Sequence, residues 1–370
     1  MSAAKRAEKE AERSRKIRLG LTEAFAGAVR RAPTDVDDVR LVVFSDQHRG
    51  TRDGSDDFLR CERAYAAALA YYQELGFELF MLGDVNELWK CRPSELREQY
   101  KAVQDLEGEF ARDGRVTRFW GNHDLLWEHT RLFKKHLGQP GQPMEGITPI
   151  EALRWPLTQA GEPLGELLFT HGHQGSLGWV FGQKMLLRYG WRRLQSALFL
   201  ASTIPAVEWQ LRDHHDVTVA EWAAEEPGRL LVTGHTHRPV LAGSPPGPTM
   251  AGEPVTDERI AAAVAARDEA RRAGDERLVA AEAAELEYMR AEERRYRGEV
   301  LAVDREELRT AYANSGCCSF GDGDVTGLVI EDGAISLVRW PGENAEPLPH
   351  RLGHALDLAA MLRGEVVSVD

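Results

Sequence analysis

Arg40-Leu-Val-Val-Phe-Ser-Asp-Gln-His-Arg-Gly50 sets a short apolar run directly before a carboxylate and an imidazole. The run has strand length and two β-branched residues, which predicts a buried strand. Outward from it, residues 56–75 read as a helix with Ser55 as N-cap and Gly76 as stop. Glu78-Leu-Phe-Met-Leu82 predicts a second strand, 94–111 a second helix, and Arg115-Val-Thr-Arg-Phe-Trp120 a third strand. Strand, helix, strand, helix, strand at this spacing means βαβ units and parallel neighbours in a sheet. Such sheets bind ligands at the carboxyl ends of their strands. The residues just past these three strands are Ser45-Asp-Gln-His48, Gly83-Asp84 and Gly121-Asn-His-Asp124.

The pattern continues downstream. Strands are predicted near 151–157 and at 166–170, the latter ending in Thr170-His-Gly-His173. A long helical stretch over 177–224 follows, then Arg229-Leu-Leu-Val-Thr233, ending in Gly234-His-Thr-His237. Residues 243–254 read as loop and 256–298 as a charged helical hairpin broken at Gly274. Strands return over 311–340 with Asp332-Gly333 as a hairpin turn. Residues 351–363 look like a closing helix.

Composition narrows the classes. The 370 residues are 43% hydrophobic and 28% charged, which excludes disordered and fibrous chains. Four cysteines without ribbon or CxxC spacing point to neither zinc ribbon nor disulfide scaffold, so a cytoplasmic location is expected. No run reaches the roughly 18 apolar residues of a membrane span, and the basic N-terminus does not resemble a secretory signal. The net charge of −13 is uneven. Residues 1–31 carry 9 Lys/Arg against 4 Glu, a net of +5, which leaves −18 for the rest. An acidic body argues against a long nucleic acid as partner. It is compatible with a phosphate held by metal ions, whose own charge is positive.

Five strand ends in succession carry Asp46/His48, Asp84, Asn122/His123/Asp124, His171 and His235/His237. One such residue after a strand is commonplace; five sets converging on one sheet edge predict a metal site. The donors are imidazole, carboxylate and a side-chain amide, without thiolate, which suits manganese, iron or zinc. Asp46, His48, Asp84, Asn122, His171, His235 and His237 are too many ligands for one four-coordinate ion. They suit two divalent ions, with manganese the first expectation and Asp84, on the middle ligand-bearing strand end, as the bridge. Two ions about 3.5–4 Å apart can hold a hydroxide nucleophile between them and clamp phosphoryl oxygens. His173 offers the same chemistry as His171 two residues away.

Asp46-x-His48, Gly83-Asp84, Gly121-Asn-His-Asp124, His171-Gly172 and Gly234-His-Thr-His237 resemble, in order and spacing, the calcineurin-like metallophosphoesterase superfamily. The resemblance covers about 40–242 and 311–340. It implies a four-layer α/β/β/α sandwich with two metals between the sheets. It further implies that Asp46, His48 and His237 bind one ion, that Asn122, His171 and His235 bind the other, and that Asp84 bridges. It selects His171 over His173. His123 would act as general acid and Asp124 would orient it, as a carboxylate must hold the tautomer and support the imidazolium. Gly83-Asp-Val-Asn-Glu-Leu-Trp89 is similar to the Gly-Asp-x-Phe-(Asp/Glu)-x-Trp stretch of the UDP-2,3-diacylglucosamine hydrolase-like branch. Asn86 stands where that branch has an apolar residue, and His123 where it has an arginine.

The expected function is therefore hydrolysis of a phosphomonoester or phosphodiester. A diphosphatase acting on a nucleotide-linked lipid precursor is the alternative, with a non-catalytic scaffold and a nuclease behind it. Arg49 follows a ligand and is a candidate for binding a phosphate oxygen; Arg238 is a weaker one. The expected organisation is a basic helix at 1–31, one catalytic domain at 32–340 with insertions 177–224 and 256–298, and a C-terminal loop and helix at 341–370. Ile17, Leu21, Ala24, Phe25 and Ala28 recur at helical spacing in the first segment. That stripe either docks on the body or meets a membrane surface or a partner. The apolar insertion at 177–211 either packs on the body, receives an apolar part of the substrate, or meets a membrane surface or an anionic leaving group through Lys184, Arg188, Arg192 and Arg193. The hairpin at 256–298 is a solvated pair, a lid or a surface for homo-oligomerisation. Cys317-Cys318 read as buried structural thiols. His129, His136, His214, His215, His350 and His354 match no motif.

Overall fold

The computed structural model describes residues 3–53, 56–96, 98–175, 209–242, 249–250, 253–254, 264–265, 272, 310–342 and 347–369. Ser55, residues 177–208 and most of 256–298 lie outside the described residues.

The chain opens with helix α1 (Ala3–Ala26) and two short edge strands, β1 (Val29–Arg30) and β2 (Thr34–Asp35). Strand β3 (Leu41–Phe44) leads through helix α2 (Glu62–Glu74) to β4 (Glu78–Leu82). From there α3 (Pro93–Leu96) and α4 (Lys101–Arg112) lead to β5 (Val116–Phe119), and α5 (Thr130–His136) follows. The hairpin β6 (Ala152–Gln159) and β7 (Glu162–Thr170) comes next, then α6 (Trp209–Ala224), β8 (Arg229–Thr233) and β9 (Pro239–Val240). Short β10 (Thr249–Met250) and β11 (Glu253–Pro254) pair with each other. The chain ends with β12 (Tyr312–Ser315), β13 (Val325–Glu331), β14 (Ala334–Trp340), β15 (His350–Asp357) and α7 (Leu358–Leu362).

Two sheets result. The first has the order β15-β14-β13-β3-β4-β5, with β3, β4 and β5 parallel. The second has the order β1-β6-β7-β8-β12-β9, with β2 also on β6 and with β7, β8 and β12 parallel. Strand alternation builds the layers. Val42 and Phe44 of β3 join Leu79 and Met81 of β4 in a cluster with α2 and α4. Their neighbours Leu41, Val43, Phe80 and Leu82 face the other way, into a core shared with Leu167, Phe169, Leu230 and Val232 of the second sheet. On the far side, Leu168 and Leu231 pack against α1 and α6. The molecule is thus a four-layer α/β/β/α sandwich. Ile17, Leu21, Ala24 and Phe25 of α1 are all buried there, so the amphipathic stripe serves the body. Each large apolar side chain so buried contributes about 1.5–3 kcal/mol. Among the described residues no helix is long and apolar enough to cross a membrane.

Several expected elements change on folding. Residues 57–60 form a 3-10 turn before α2, and Asp56, which accepts from the Phe58 amide, caps that turn. The helix expected over 94–111 is divided at Tyr100, whose φ of 54° breaks the repeat while its hydroxyl donates to Asp56 at 2.6 Å. The stretch 243–254, expected as loop, includes the β10–β11 pair. The closing helix expected over 351–363 is largely a strand: β15 covers the edge of β14, and only 358–362 is helical. An unpaired edge takes the chain as a strand first, and Asp357, accepting from the Ala360 amide, then starts the helix. The Asp332-Gly333 turn forms as expected, with φ of 49° and 73°.

Candidate metal centre

Both sheets deliver polar residues to one edge. β3, β4 and β5 run out into Asp46/His48, Asp84 and Asn122–Asp124, and β7 and β8 into His171 and His235/His237. The backbone there is unusual. Among the described residues nine non-glycine residues have positive φ, and five are Asp46, His48, Asp84, His235 and His237. Each such residue costs of order 1–3 kcal/mol and persists only where its surroundings enforce it. Packing is correspondingly close. A Cβ on Gly83 would lie 2.7 Å from the His171 ring, and one on Gly121 would collide with the Asp84 carboxylate. Glycine at those two positions lets the strand ends approach.

The side chains converge in three overlapping groups: Asp46/His48/His237, Asp84/His171/His235 and His48/Asp84/His123, with donor atoms within 4.8 Å of one another in each. His237 Nε2 lies 3.3 Å from Asp46 Oδ1 and 3.1 Å from His48 Nε2. His171 Nε2 lies 3.1 Å from Asp84 Oδ2 and 3.9 Å from Asp46 Oδ1, while its Nδ1 donates to the Leu82 carbonyl at 2.9 Å. That bond fixes the tautomer and leaves Nε2 aimed inward. The Asp46 Oδ2 and Asp84 Oδ1 atoms accept the His235 and His123 amides at 2.9 and 2.7 Å.

Beyond these ion-pair contacts, four buried atoms in this cluster have no hydrogen bond among the described residues: Asp46 Oδ1, Asn122 Oδ1, His171 Nε2 and His235 Nε2. Buried polar atoms are nearly always paired. All four are lone-pair donors in a suitable tautomer, so the cluster fits cations. The electrostatics agree. Burial raises the Asp46 carboxyl, but His171 and His237 outweigh it and hold the group well below the usual range. Burial likewise opposes ionisation of Asp84 and Glu87, and the surrounding histidines keep both low. Burial lowers His171, but Asp84 and Asp46 lift it to about 9. Burial, reinforced by His171 and His215, keeps His235 well below its ordinary value, hence neutral.

His173 is buried beside Trp120, its ring 5.5 Å from that of His171, and takes part in none of the three groups, which agrees with the choice of His171. Other predicted residues do not behave as expected. His123 stands at the rim, and its Nδ1 meets Glu87 Oε2 at 2.8 Å. Asp124, expected to orient that ring, instead accepts four backbone amides, from Gly121, Asp84, Val85 and Asn86, at 2.7–3.4 Å. A fully buried carboxylate takes the nearest donors, and Asp124 thereby ties the Asp84 loop to the Asn122 loop. Arg49, expected at a phosphate, points into the core. It is 2% exposed, pairs bidentately with Glu107 of α4 and lies over Phe58. Arg238 is also buried, its Nε 4.0 Å from Asp216.

Sequence reading missed Glu87 and Trp89. Trp89 stacks on His123 with centroids 3.8 Å apart and donates from Nε1 to the Asn122 carbonyl at 2.9 Å. Both stand in the stretch that follows Asp84, so the signal was in view.

The family model of the calcineurin-like phosphoesterases matches residues 39–239, more than half of the chain. No curated protein matches. A conserved uncharacterized protein of Streptococcus pneumoniae, described as a predicted phosphoesterase, is 12% identical, over 85% of this chain and 97% of that one. The TM-score is 0.27, and at that value the superposition carries no structural argument.

Proposed function

The chain belongs to the calcineurin-like phosphoesterase family, a family of metal-dependent phosphoester hydrolases, and from that premise we propose a binuclear centre in which His123 is the general acid. Asp46, His48 and His237 would hold one divalent ion, Asn122, His171 and His235 the other, and Asp84 would bridge them. The observation that carries this reading is the set of four buried donor atoms, spread over both ligand groups, that make no hydrogen bond among the described residues. When bound, two divalent cations supply Lewis acidity, bringing the pKa of water towards neutrality and taking up charge on phosphoryl oxygens.

The chain's own residues do the rest. Glu87 accepts the Nδ1 proton of His123 and supports the imidazolium, which leaves Nε2 to hold a proton for the departing alkoxide. Trp89, stacked on the ring, fixes its plane. Asp124 keeps the two loops of the first sheet in register. Arg49 belongs to the scaffold beneath them.

A second reading, a UDP-linked lipid diphosphate as substrate, is favoured by the likeness of the Gly83–Trp89 stretch to the UDP-2,3-diacylglucosamine hydrolase-like branch, and opposed by His123, which stands where that branch has an arginine. A turnover panel decides between them. Apo protein is loaded with manganese, zinc or iron and assayed against p-nitrophenyl mono- and diesters, cyclic nucleotides and UDP-linked diphosphates. Two ions per chain with chelator-sensitive turnover of at least one ester class is the expected result. One ion per chain at saturation would refute the binuclear centre.

A further inference from the structure

Three consecutive residues on α6 reach three different places. His214 Nε2 lies 3.0 Å from Ser14 Oγ and 3.2 Å from the Glu10 carbonyl, both on α1. His215 Nε2 donates at 2.8 Å to the carbonyl of Gly172, the residue after His171. Asp216 Oδ1 accepts at 3.1 Å from the hydroxyl of Thr236, which stands between His235 and His237. The same oxygen accepts from Tyr312 of β12 at 2.8 Å. His215 is 2% exposed and Asp216 fully buried.

Resting on the binuclear reading above, we propose that His215 and Asp216 are positioning residues for the metal centre. A helix turn is rigid, so these two side chains pin the loops after β7 and β8 to one body. Those loops carry His171, His235 and His237, all three ligands from the second sheet. The restraint has a reason: His235 and His237 are held at φ of 69° and 58°, conformations that relax unless their surroundings enforce them. The first sheet restrains its own loops through Asp124. Among the described residues the second sheet has no equivalent carboxylate within its ligand loops, and α6 supplies one from outside. Asn314 completes the support, donating to Thr236 Oγ1 at 3.1 Å and to the Gly234 carbonyl at 2.8 Å. The contacts of His214 extend the same helix turn to α1, so the N-terminal helix braces the clamp.

The two pins act on different ligands. Loss of the His215 bond frees the His171 side alone, whereas loss of the Asp216 bond frees both His235 and His237. Outer-shell partners of this kind are worth roughly 10–100-fold in metal affinity.

The test is calorimetric titration of manganese into full-length apo protein, with the visible spectrum of the cobalt-loaded protein as a second readout. His215→Phe, which keeps a ring against His235 but removes the donor, should weaken one of two binding steps by roughly 10–100-fold. Asp216→Ala should weaken both, and Asp216→Asn should lie closer to wild type, because the amide oxygen still accepts from Thr236 and Tyr312. Thr236→Val removes the same bond from the loop side and should reproduce the loss even where Asp216→Ala fails to fold. Val219→Ala, a buried core change on the same helix, should lower thermal stability and leave affinity and spectrum unchanged. Wild-type affinity in His215→Phe and Thr236→Val, or an equal loss in Val219→Ala, overturns the proposal. If the variants lose affinity as expected but wild type turns over no ester, the hydrolytic reading fails and the clamp stands. Wild type that binds no ion overturns both.

Discussion

Replacing Glu87 by glutamine isolates the support of the general acid. The change preserves size in a site where the Glu87 side chain is only 3% exposed, so packing is retained. It removes the negative charge 2.8 Å from His123 Nδ1 and offers an amide N–H in its place. An N–H facing Nδ1 favours the neutral tautomer and disfavours the imidazolium. General acid catalysis contributes about 10²–10⁴-fold, or about 3–5 kcal/mol of barrier. The full loss should appear only where the leaving group needs a proton. The assay is kcat/KM of wild type and Glu87→Gln on an alkyl phosphoester and on its p-nitrophenyl counterpart, at matched metal content. Matching matters because Glu87 Oε2 also lies 3.6 Å from His48 Nδ1. The alkyl ester should lose about 10²-fold or more, and the nitrophenyl ester only a small factor. An equal drop on both esters would refute the argument, since it would mean that Glu87 acts on metal binding or on the fold.

Three further outcomes are expected. Asp84→Ala should strip both ions, measured by elemental analysis after gel filtration, because Asp84 is the proposed bridge and its donor atoms lie within 4.8 Å of those of His171 and His235 on one side and of His48 on the other. Arg49→Ala should cost about 3–5 kcal/mol of stability in denaturant unfolding by leaving the Glu107 charge buried without its cation, with KM unchanged; a raised KM in a stable variant would restore a substrate role. Burial holds the fully enclosed His215 down, to about 4 from 6.5. The unfolded chain therefore binds the extra proton between those values. Stability from this group is complete above pH 6.5 and is lost, by about 3 kcal/mol, as pH falls to about 4. Wild type should show this slope and His215→Phe should lack it.

Local sequence carried much of the site. An apolar run followed at once by Asp, His or Asn is legible because strand burial and strand ends are both short-range matters. All seven predicted ligand residues lie at the common edge of the two sheets for that reason. Glu87 was visible in principle, three residues after Asp84, but nothing local says which carboxylate meets His123. Asp124 is the nearer in sequence, and its oxygens go to backbone amides because those lie nearest in space.

What the sequence determined by itself was the order of elements, the alternation that splits each strand between two cores, and the chemistry gathered at the strand ends. The tertiary structure alone decided where long or buried polar side chains point. Arg49 turns towards Glu107, 58 residues away in the chain, and Thr236 meets Asp216 from a helix in another layer. It also decided that 350–357 would be a strand, because the open edge of β14 needed a partner. The physical reason is the same in each case. Burial periodicity is written along a few consecutive residues, whereas the partner of a buried charge or an exposed strand edge is whatever the packed layers bring within 3 Å.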